Sequence, residues 1–348
     1  KLDAEFQKKF LELTAKKKTA YFTRGHGEAS WSATSGERSR EKFLRGIEQI
    51  LRSQNYNLRQ FGVAEGSATD VPDEVDVVVV AGPTRPFQQE EVDALLRFLR
   101  RGGSVMLFLD SGKADDTSAE VVLEEEGQPL LTMLEKEVGI TYDPTPMANE
   151  KDHINANRGQ ADRWFLYTNI FTSHESVSRL SRHEERINLM LLRTGHLTVK
   201  PEFNGWKNFE TVRSLANSFV DKNKNFTFDK DSEKKDTYTL GAVGKKEFKG
   251  EDGAARTGHI FVFADSTMIT DLLIQMPVHQ VFFFESLKWL VGDTDFGGEL
   301  SSEEDVKIIH SKKENNFLFF GMIVVMPLFV LGIGFLGTMG GRRKARGQ

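Results

Sequence analysis

Cysteine is absent from the 348 residues, which excludes disulfides, thiolate metal sites and cysteine nucleophiles but leaves the compartment undecided. Three fingerprints are missing as well: a Walker A loop, a nucleophile elbow and a dinucleotide-binding GxGxxG at a strand-to-helix loop, that spacing occurring only within the apolar run at Gly332–Gly337. Without a Walker A lysine the chain is not the ATPase of a transporter. HExxH is absent too, so the pairs His174-Glu175 and His183-Glu184 lack the spacing of a helical zinc site. A basic excess is lacking: the net charge is −5, which argues against nucleic acid, since phosphate contact requires a basic face. No signal-peptide pattern is visible, and the chain begins at Lys1 without methionine. The expectation is that a leader or an N-terminal span lies upstream.

What is present dominates the far end. Residues Phe317 to Met339 (FLFFGMIVVMPLFVLGIGFLGTM) form a run of 23 without a charged side chain. As a helix it would extend about 35 Å, enough for a hydrocarbon core of about 30 Å, and buried core helices rarely run so long without a polar face. The reading is a large body tethered by a C-terminal transmembrane helix at 317–339. Pro327 predicts a kink. Gly334, Gly337 and Gly341 crowd its second half, the last two in GxxxG spacing, which lets another helix approach; glycine is also simply common in such spans. Arg342, Arg343, Lys344 and Arg346 follow, so 340–348 reads as a basic cytoplasmic tail and the body as lying outside. Lys307, Lys312 and Lys313 on the other flank reduce that bias.

Residues 1–18 read as an amphipathic helix or stalk, with Leu2, Phe6, Phe10 and Leu13 on one stripe. Residues 19–113 read as the first half of an α/β domain. A strand at Thr19–Thr23 ends in Arg24-Gly25-His26-Gly27-Glu28. His26 and Glu28 suit a base and its partner, while the glycines equally suit a tight strand-to-helix loop. A helix is expected from Arg40 to Ser53 and a strand from Asn57 to Val63. Asp76 to Ala81 is a β-branched run typical of a strand covered on both faces. Gly82-Pro83 ends it, and Arg85 lies in the loop that follows. A helix is expected from Gln88 to Arg101, buried through Val92, Leu95, Leu96 and Leu99 and stopped by Gly102-Gly103. The strand Ser104–Asp110 completes a βαβ unit. Ligands of open α/β sheets bind beyond the carboxyl ends of strands, where Asp110 stands.

Residues 114–256 read as a second α/β unit or insertion. It holds an acidic patch (Glu124, Glu125, Glu126) read as solvated surface, a helix from Gln128 to Val138, and strands at Trp164–Thr172, Ile187–Leu192 and Tyr238–Val243. Asp221, Asn223, Asn225 and Asp229 alternate like the first places of a calcium loop, but Phe226 stands where glycine is required and Ser232 where glutamate is. An Asx-rich turn is the plainer reading. Residues 257–296 return to the core with a strand at Gly258–Asp265, again ending in Asp, and a helix at Val281–Leu290. Residues 297–316 are a polar juxtamembrane linker. Strand and helix alternate throughout the body, giving an α/β fold with a mostly parallel, Rossmann-like sheet.

The strings YFTRGHGE and VDVVVVAGPTRPFQQEEVDALLRFLRRGGSVMLFLD resemble the auxiliary membrane component of Gld-type (gliding-motility) ABC transporters. So do the Asp221–Asp229 stretch, FVFADSTMITD and FFFESLKWLVGD, in that order before a C-terminal span. Ala264 stands where that family has glycine. The resemblance covers 19–113 well and 215–345 more loosely. It implies a non-enzymatic accessory subunit without cofactor, standing outside the bacterial inner membrane with its bulk in the periplasm. It implies as partners a polytopic permease, a separate cytoplasmic ATPase, a related second auxiliary subunit, and a cell-envelope protein or glycan. The alternatives are a tethered binding module for a glycan, peptide or lipoprotein, recognised near His26, Glu28, Arg85, Asp110 and Asp265, and a hydrolase using His26 and Glu28.

Overall fold

The computed structural model describes residues 17–31, 43–62, 70–111, 128–182, 188–250 and 252–292. The first part of the chain gives β1 (Lys18–Thr23), α1 (Arg45–Ser53), β2 (Tyr56–Phe61), β3 (Val77–Ala81), α2 (Gln89–Arg100) and β4 (Ser104–Phe108). The middle gives α3 (Pro129–Met133), which continues as one π turn (Leu134–Val138), then β5 (Ile140–Asp143), β6 (Met147–Ala148), β7 (Phe165–Thr168) and β8 (Ile170–Phe171). Next come α4 (Ser178–Ser181), β9 (Leu189–Leu192), β10 (His196–Val199), β11 (Glu202–Phe203), β12 (Trp206–Arg213) and β13 (Phe219–Val220). The long β14 (Thr239–Lys249) and β15 (Ala255–Phe263) lead to α5 (Pro277–Leu290).

One large sheet organises these elements. Its centre is five parallel strands in the order β2-β1-β3-β4-β15. This is a doubly wound order whose last strand arrives only after the whole middle segment. Beyond β15 the sheet continues antiparallel through β14, β12 and β11, with β10 pairing off β14 and β5 pairing with β10. The expected α/β architecture is therefore present, with an antiparallel wing that periodicity did not foretell.

The pleat of β3 shows why the centre is buried on both sides. Val77 and Val79 pack with Ile47 and Leu51 of α1 and with Phe282 and Phe283 of α5. Val78 and Val80 pack with Val92, Leu95 and Leu99 of α2. All five residues of β3 are buried, and β-branched side chains suit such a two-sided position. At the end of α2, Gly102 takes a positive φ of 89°. Its N–H reaches the Leu99 carbonyl at 3.0 Å, and Gly103 reaches Phe98 at 2.9 Å. The Phe98 ring lies over Gly103, where a Cβ would come within 2.5 Å of it. Phe98 is thus the buried residue of that turn, and Leu96, expected inside, is only partly covered.

Several boundaries move. The first helix begins at Arg45, not Arg40. The predicted Trp164–Thr172 strand is broken: a 3-10 turn ends at Trp164, β7 and β8 are separated at Asn169, and the Ile170 N–H bonds to Thr168 Oγ1 at 3.1 Å. The expected Gln128–Val138 helix widens into its π turn, closed by the Gly139 N–H on the Leu134 carbonyl at 2.8 Å. Lys18, assigned to the N-terminal helix, starts β1 instead.

The chain divides into two compact units, Lys1–Thr294 and Asp295–Gln348. The N-terminal helix up to residue 16, the acidic patch, His183-Glu184, the 297–316 linker, the span with Pro327, Gly334, Gly337 and Gly341, and the 340–348 tail lie outside the described residues. Among the described residues no helix is long and apolar enough to cross a membrane.

Candidate functional site

The carboxyl edge of the parallel strands carries the residues singled out from sequence, and they fall into two groups. At the β1/β3 crevice, where strand order reverses, the β1 loop folds inward. The His26 carbonyl accepts the N–H of Thr84 at 2.7 Å and of Arg85 at 2.9 Å. The Ala29 N–H reaches the Ala81 carbonyl at 2.8 Å. Gly27 has a positive φ of 76°, and a Cβ there would sit 1.9 Å from Thr84 Oγ1, so glycine is required by conformation and by space alike.

His26 is only 7 % exposed and is held on three sides. Its Nδ1 lies 3.4 Å from Glu28 Oε1 and its Nε2 2.9 Å from Glu91 Oε2. The imidazole stacks on Phe87, with ring centroids 4.1 Å apart. Glu28 also accepts the His26 backbone N–H through Oε2 at 2.7 Å, and Glu91 accepts the Gln88 N–H at 2.8 Å in the first turn of α2. Burial pulls the His26 pKa down, but the Glu28 and Glu91 carboxylates outweigh it and hold it above the ordinary 6.5. Burial pushes Glu28 up, but its bond to His26 and to the backbone amides of Glu28 and His26 holds it below the ordinary 4.5. The group is thus a buried clasp of one imidazole between two carboxyl side chains, joining β1, the β3 loop and α2. Both ring nitrogens face carboxylates, and Phe87 covers one face of the ring. The arrangement suits closure of the crevice better than proton transfer to a ligand. Arg85 enters it only through its backbone; its side chain is exposed.

The second group stands past β4 and β15. Asp265 is 1 % exposed, and its carboxylate accepts the N–H of Leu192 at 2.6 Å and of Thr267 at 2.8 Å. Ser266 Oγ donates to Asp110 Oδ2 at 3.0 Å. Gly82 takes φ +64°, and a Cβ there would meet Ser266 Oγ at 2.4 Å, so the β3 and β15 loops are in contact. Burial, then the charge of Asp110, raises the Asp265 pKa to about 7. Tyr142 joins this group. Its hydroxyl is buried without a hydrogen-bond partner among the described residues. Its pKa is driven well above the ordinary value by burial and then by Asp110, Asp265 and Asp143. The edge therefore combines a partly buried carboxylate, a fully buried one able to hold a proton near neutrality, and a phenol.

Sequence reasoning gathered His26, Glu28, Arg85, Asp110 and Asp265 into one site at the strand ends, where the structure holds two groups and leaves the Arg85 side chain exposed, and it missed Glu91 and Tyr142. Glu91 had a visible signal, the Gln88-x-x-Glu91 spacing of a capping box. Tyr142 had none, since β5 reaches the region only through the sheet.

The Asp221 loop is closed on itself. Asp221 is buried; Oδ2 accepts Trp164 Nε1 and the Phe226 N–H, each at 2.8 Å, and Oδ1 accepts the Asn225 N–H at 3.1 Å. Asn223 and Asn225 turn their amide nitrogens onto Asp229 Oδ2, at 2.6 and 2.9 Å. Phe226, at the glycine place, adopts φ +63° and packs its ring 4.5 Å from that of Trp164. His174, weighed with Glu175 as a metal ligand, instead accepts the Ser176 N–H on Nδ1 at 3.2 Å and lies between Phe209 and Trp289. Among the described residues no group of three or more His, Cys, Asp or Glu is placed to hold a metal ion.

A family model described as ABC-type uncharacterized transport system matches residues 17–296. No curated protein matches the sequence. Among solved structures the chain is similar to the mmIFT52 N-terminal domain, at 14 % identity and a TM-score of 0.48, over 78 % of this chain and 96 % of that one. It is also similar to a putative ThuA-like protein from Bacteroides uniformis, at 7 % identity and a TM-score of 0.38, over 80 % and 92 % of the two chains. A cytoplasmic protein from Salmonella typhimurium matches at 10 % identity and a TM-score of 0.39, over 78 % and 98 %.

Proposed function

We propose that this chain, which belongs to the ABC-type uncharacterized transport system family, is a non-enzymatic accessory subunit of a Gld-type transporter. The auxiliary role in an ABC-type system comes with the family. The Gld assignment, the membrane anchor at 317–339 and the periplasmic position of the body are our reading of the sequence. In this reading the body stands outside the inner membrane beside a polytopic permease, which a separate cytoplasmic ATPase drives. The small residues Gly334, Gly337 and Gly341 let the span pack against a permease helix. Movement of the permease helices is passed to the outer body, which engages an envelope protein or glycan.

One observation supports a non-catalytic role most directly. The His26-Glu28 pair, the best catalytic candidate in the sequence, is locked by Glu91 at 2.9 Å and covered by Phe87. A side chain with both nitrogens committed is spent on structure.

The test is purification of the tagged chain from its native membrane in mild detergent, with mass spectrometry of what accompanies it. Co-elution of a permease and an ATPase is expected, and the Gly337→Leu, Gly341→Leu double variant should lose them. A chain that arrives alone, or only with an envelope polymer, sinks the transporter assignment.

A further inference from the structure

We propose that the body engages a neutral glycan on an aromatic platform of Phe209, His174, Trp289 and His259, whose rings stack against the C–H faces of the sugars. This rests on the envelope-partner reading above and narrows that partner to a polysaccharide.

The four rings touch in series. His174 lies 5.1 Å from Phe209 and 5.1 Å from Trp289, and Trp289 lies 5.2 Å from His259, centroid to centroid. They come from separate elements: Phe209 from β12, His174 from the loop after β8, Trp289 from the last turn of α5 and His259 from β15. Phe209 is 43 % exposed, the one large hydrophobic side chain among the described residues to stand so open. The other three are partly exposed. Register explains the place. Phe209 pairs with Val243, and Val243 with Phe261. Phe209 therefore continues a row of the core that α5 covers out to where the cover ends.

The flanking charges select the occupant. The next row on the same face runs Glu202, Lys207, Lys245, His259 across four strands. Two lysines thus stand directly opposite each other, which destabilises a strand pair. Neither has an ion-pair partner among the described residues, and Glu175, Glu202 and Glu247 have none either. Lys249 lies two residues beyond Glu247 on this face, so three lysines meet three glutamates. On α5, Glu285 is paired with Arg179 at 3.3 Å, and Lys288 adjoins Trp289. A face so balanced does not select a polyanion or a polycation. It offers unpaired donors and acceptors side by side, and a sugar hydroxyl is both donor and acceptor. A proline-rich peptide would also stack on the rings, but its prolines bring carbonyl acceptors without N–H donors and leave the glutamates unanswered. Both imidazoles are neutral at pH 7. Burial and then Lys245 hold His259 below 6.5, and at His174 burial, with Lys245, outweighs Glu175. Neutral aromatic faces carry the negative side of the ring quadrupole, which attracts C–H hydrogens.

The experiment takes the full chain in mild detergent and titrates it calorimetrically with chitohexaose, cellohexaose and mannohexaose, and with decaproline as the peptide probe. At least one of the sugars should bind, and Phe209→Ala should weaken it about tenfold. The ring is exposed, so folding is spared, and an unchanged urea midpoint checks this. Phe209→Trp keeps an aromatic face and should bind as the parent does, with a shift in indole emission on titration. Failure of all three sugars to bind, or binding that Phe209→Ala leaves intact, overturns the inference. Binding of decaproline alone, lost in Phe209→Ala, overturns it in favour of a peptide. The same preparation reports on the transporter reading separately. A permease and an ATPase that co-elute while no sugar binds leave that reading standing and remove the platform. Sugar binding with the Phe209 dependence, in a chain that elutes without them, keeps the platform and removes the transporter assignment.

Discussion

Nε2 of His26 lies 2.9 Å from Oε2 of Glu91, 65 residues along the chain, and that same oxygen accepts the Gln88 N–H at 2.8 Å. One carboxylate therefore starts helix α2 and fastens the β1 loop to it. Removing the imidazole would leave Glu28 and Glu91 buried side by side without a cation. Loss of one partner from a buried ion pair costs about 3 to 5 kcal/mol, so His26→Ala should destabilise the body by about 3 kcal/mol, read as a lower urea midpoint at unchanged slope. His26→Gln, which can still donate to one carboxylate, should recover part of this. An alanine variant as stable as the parent would mean that the clasp holds nothing.

The clasp also sets a pH profile. The folded pKa of His26 is raised above the ordinary 6.5, so its contribution is complete below 6.5 and is lost as pH rises through the folded value. That of Glu28 is depressed below 4.5, so its contribution is present above 4.5 and is lost as pH falls through the folded value. Stability from this group should peak between those limits. Urea midpoints measured across pH 4 to 9 should fall on the alkaline side, and the fall should be smaller in His26→Gln. A midpoint that climbs steadily from pH 6.5 upward in the parent would contradict the assignment.

Gly27 tests the crevice by geometry alone. Alanine there meets a left-handed backbone, φ +76°, and Thr84 Oγ1 at 1.9 Å. The left-handed conformation costs an L-residue about 1 to 2 kcal/mol, and the overlap adds to it. Gly27→Ala should therefore lose at least about 2 kcal/mol. Adding Thr84→Ala removes the offending hydroxyl and should return the overlap part but not the backbone part. Full recovery in the double variant would show that conformation plays no role.

How much of this fold is legible in the sequence follows from what each element depends on. The strands β1, β3 and β4 and helix α2 are specified by their own side chains: Val77–Val80 is β-branched, Val77–Ala81 is buried throughout, and α2 carries its stripe and its glycine stop. Side-chain pattern places them to within two residues or so. The wing is not legible in that way, because its strands owe their state to partners. Trp206–Arg213 shifts register near Glu210 and Val212, which scrambles the alternation a reader looks for. The break after Thr168 is made by a side-chain hydroxyl acting on Ile170 N, again invisible to periodicity. The site divides likewise. His26 and Glu28 are neighbours in sequence, whereas Glu91 and Tyr142 join their groups only through the packing of α2 and β5.

Asp265 gives the sharpest remaining test, because its two roles pull apart. As an acceptor it ties Leu192 and Thr267 to the end of β15, at 2.6 and 2.8 Å. As an acid it is held up to about 7 by burial and by Asp110. A carboxyl whose folded pKa lies above its unfolded value of 3.8 keeps its proton more firmly in the fold. Its neutral form favours folding fully below 3.8, and that advantage drains away as pH rises toward 7. A tenfold difference in proton affinity between the two states is worth about 1.4 kcal/mol, so the body should lose stability between pH 4 and 7 by an amount on the order of a few kcal/mol. Asp265→Asn cannot ionise, and its slope over this interval should be much flatter. Its absolute stability should be lower, since the amide nitrogen faces a backbone N–H where an oxygen stood. The two effects separate in one experiment: the flattened slope reports the proton, and the drop at pH 4 reports the lost acceptor. An unchanged slope in Asp265→Asn would assign the loss between pH 4 and 7 to groups other than Asp265.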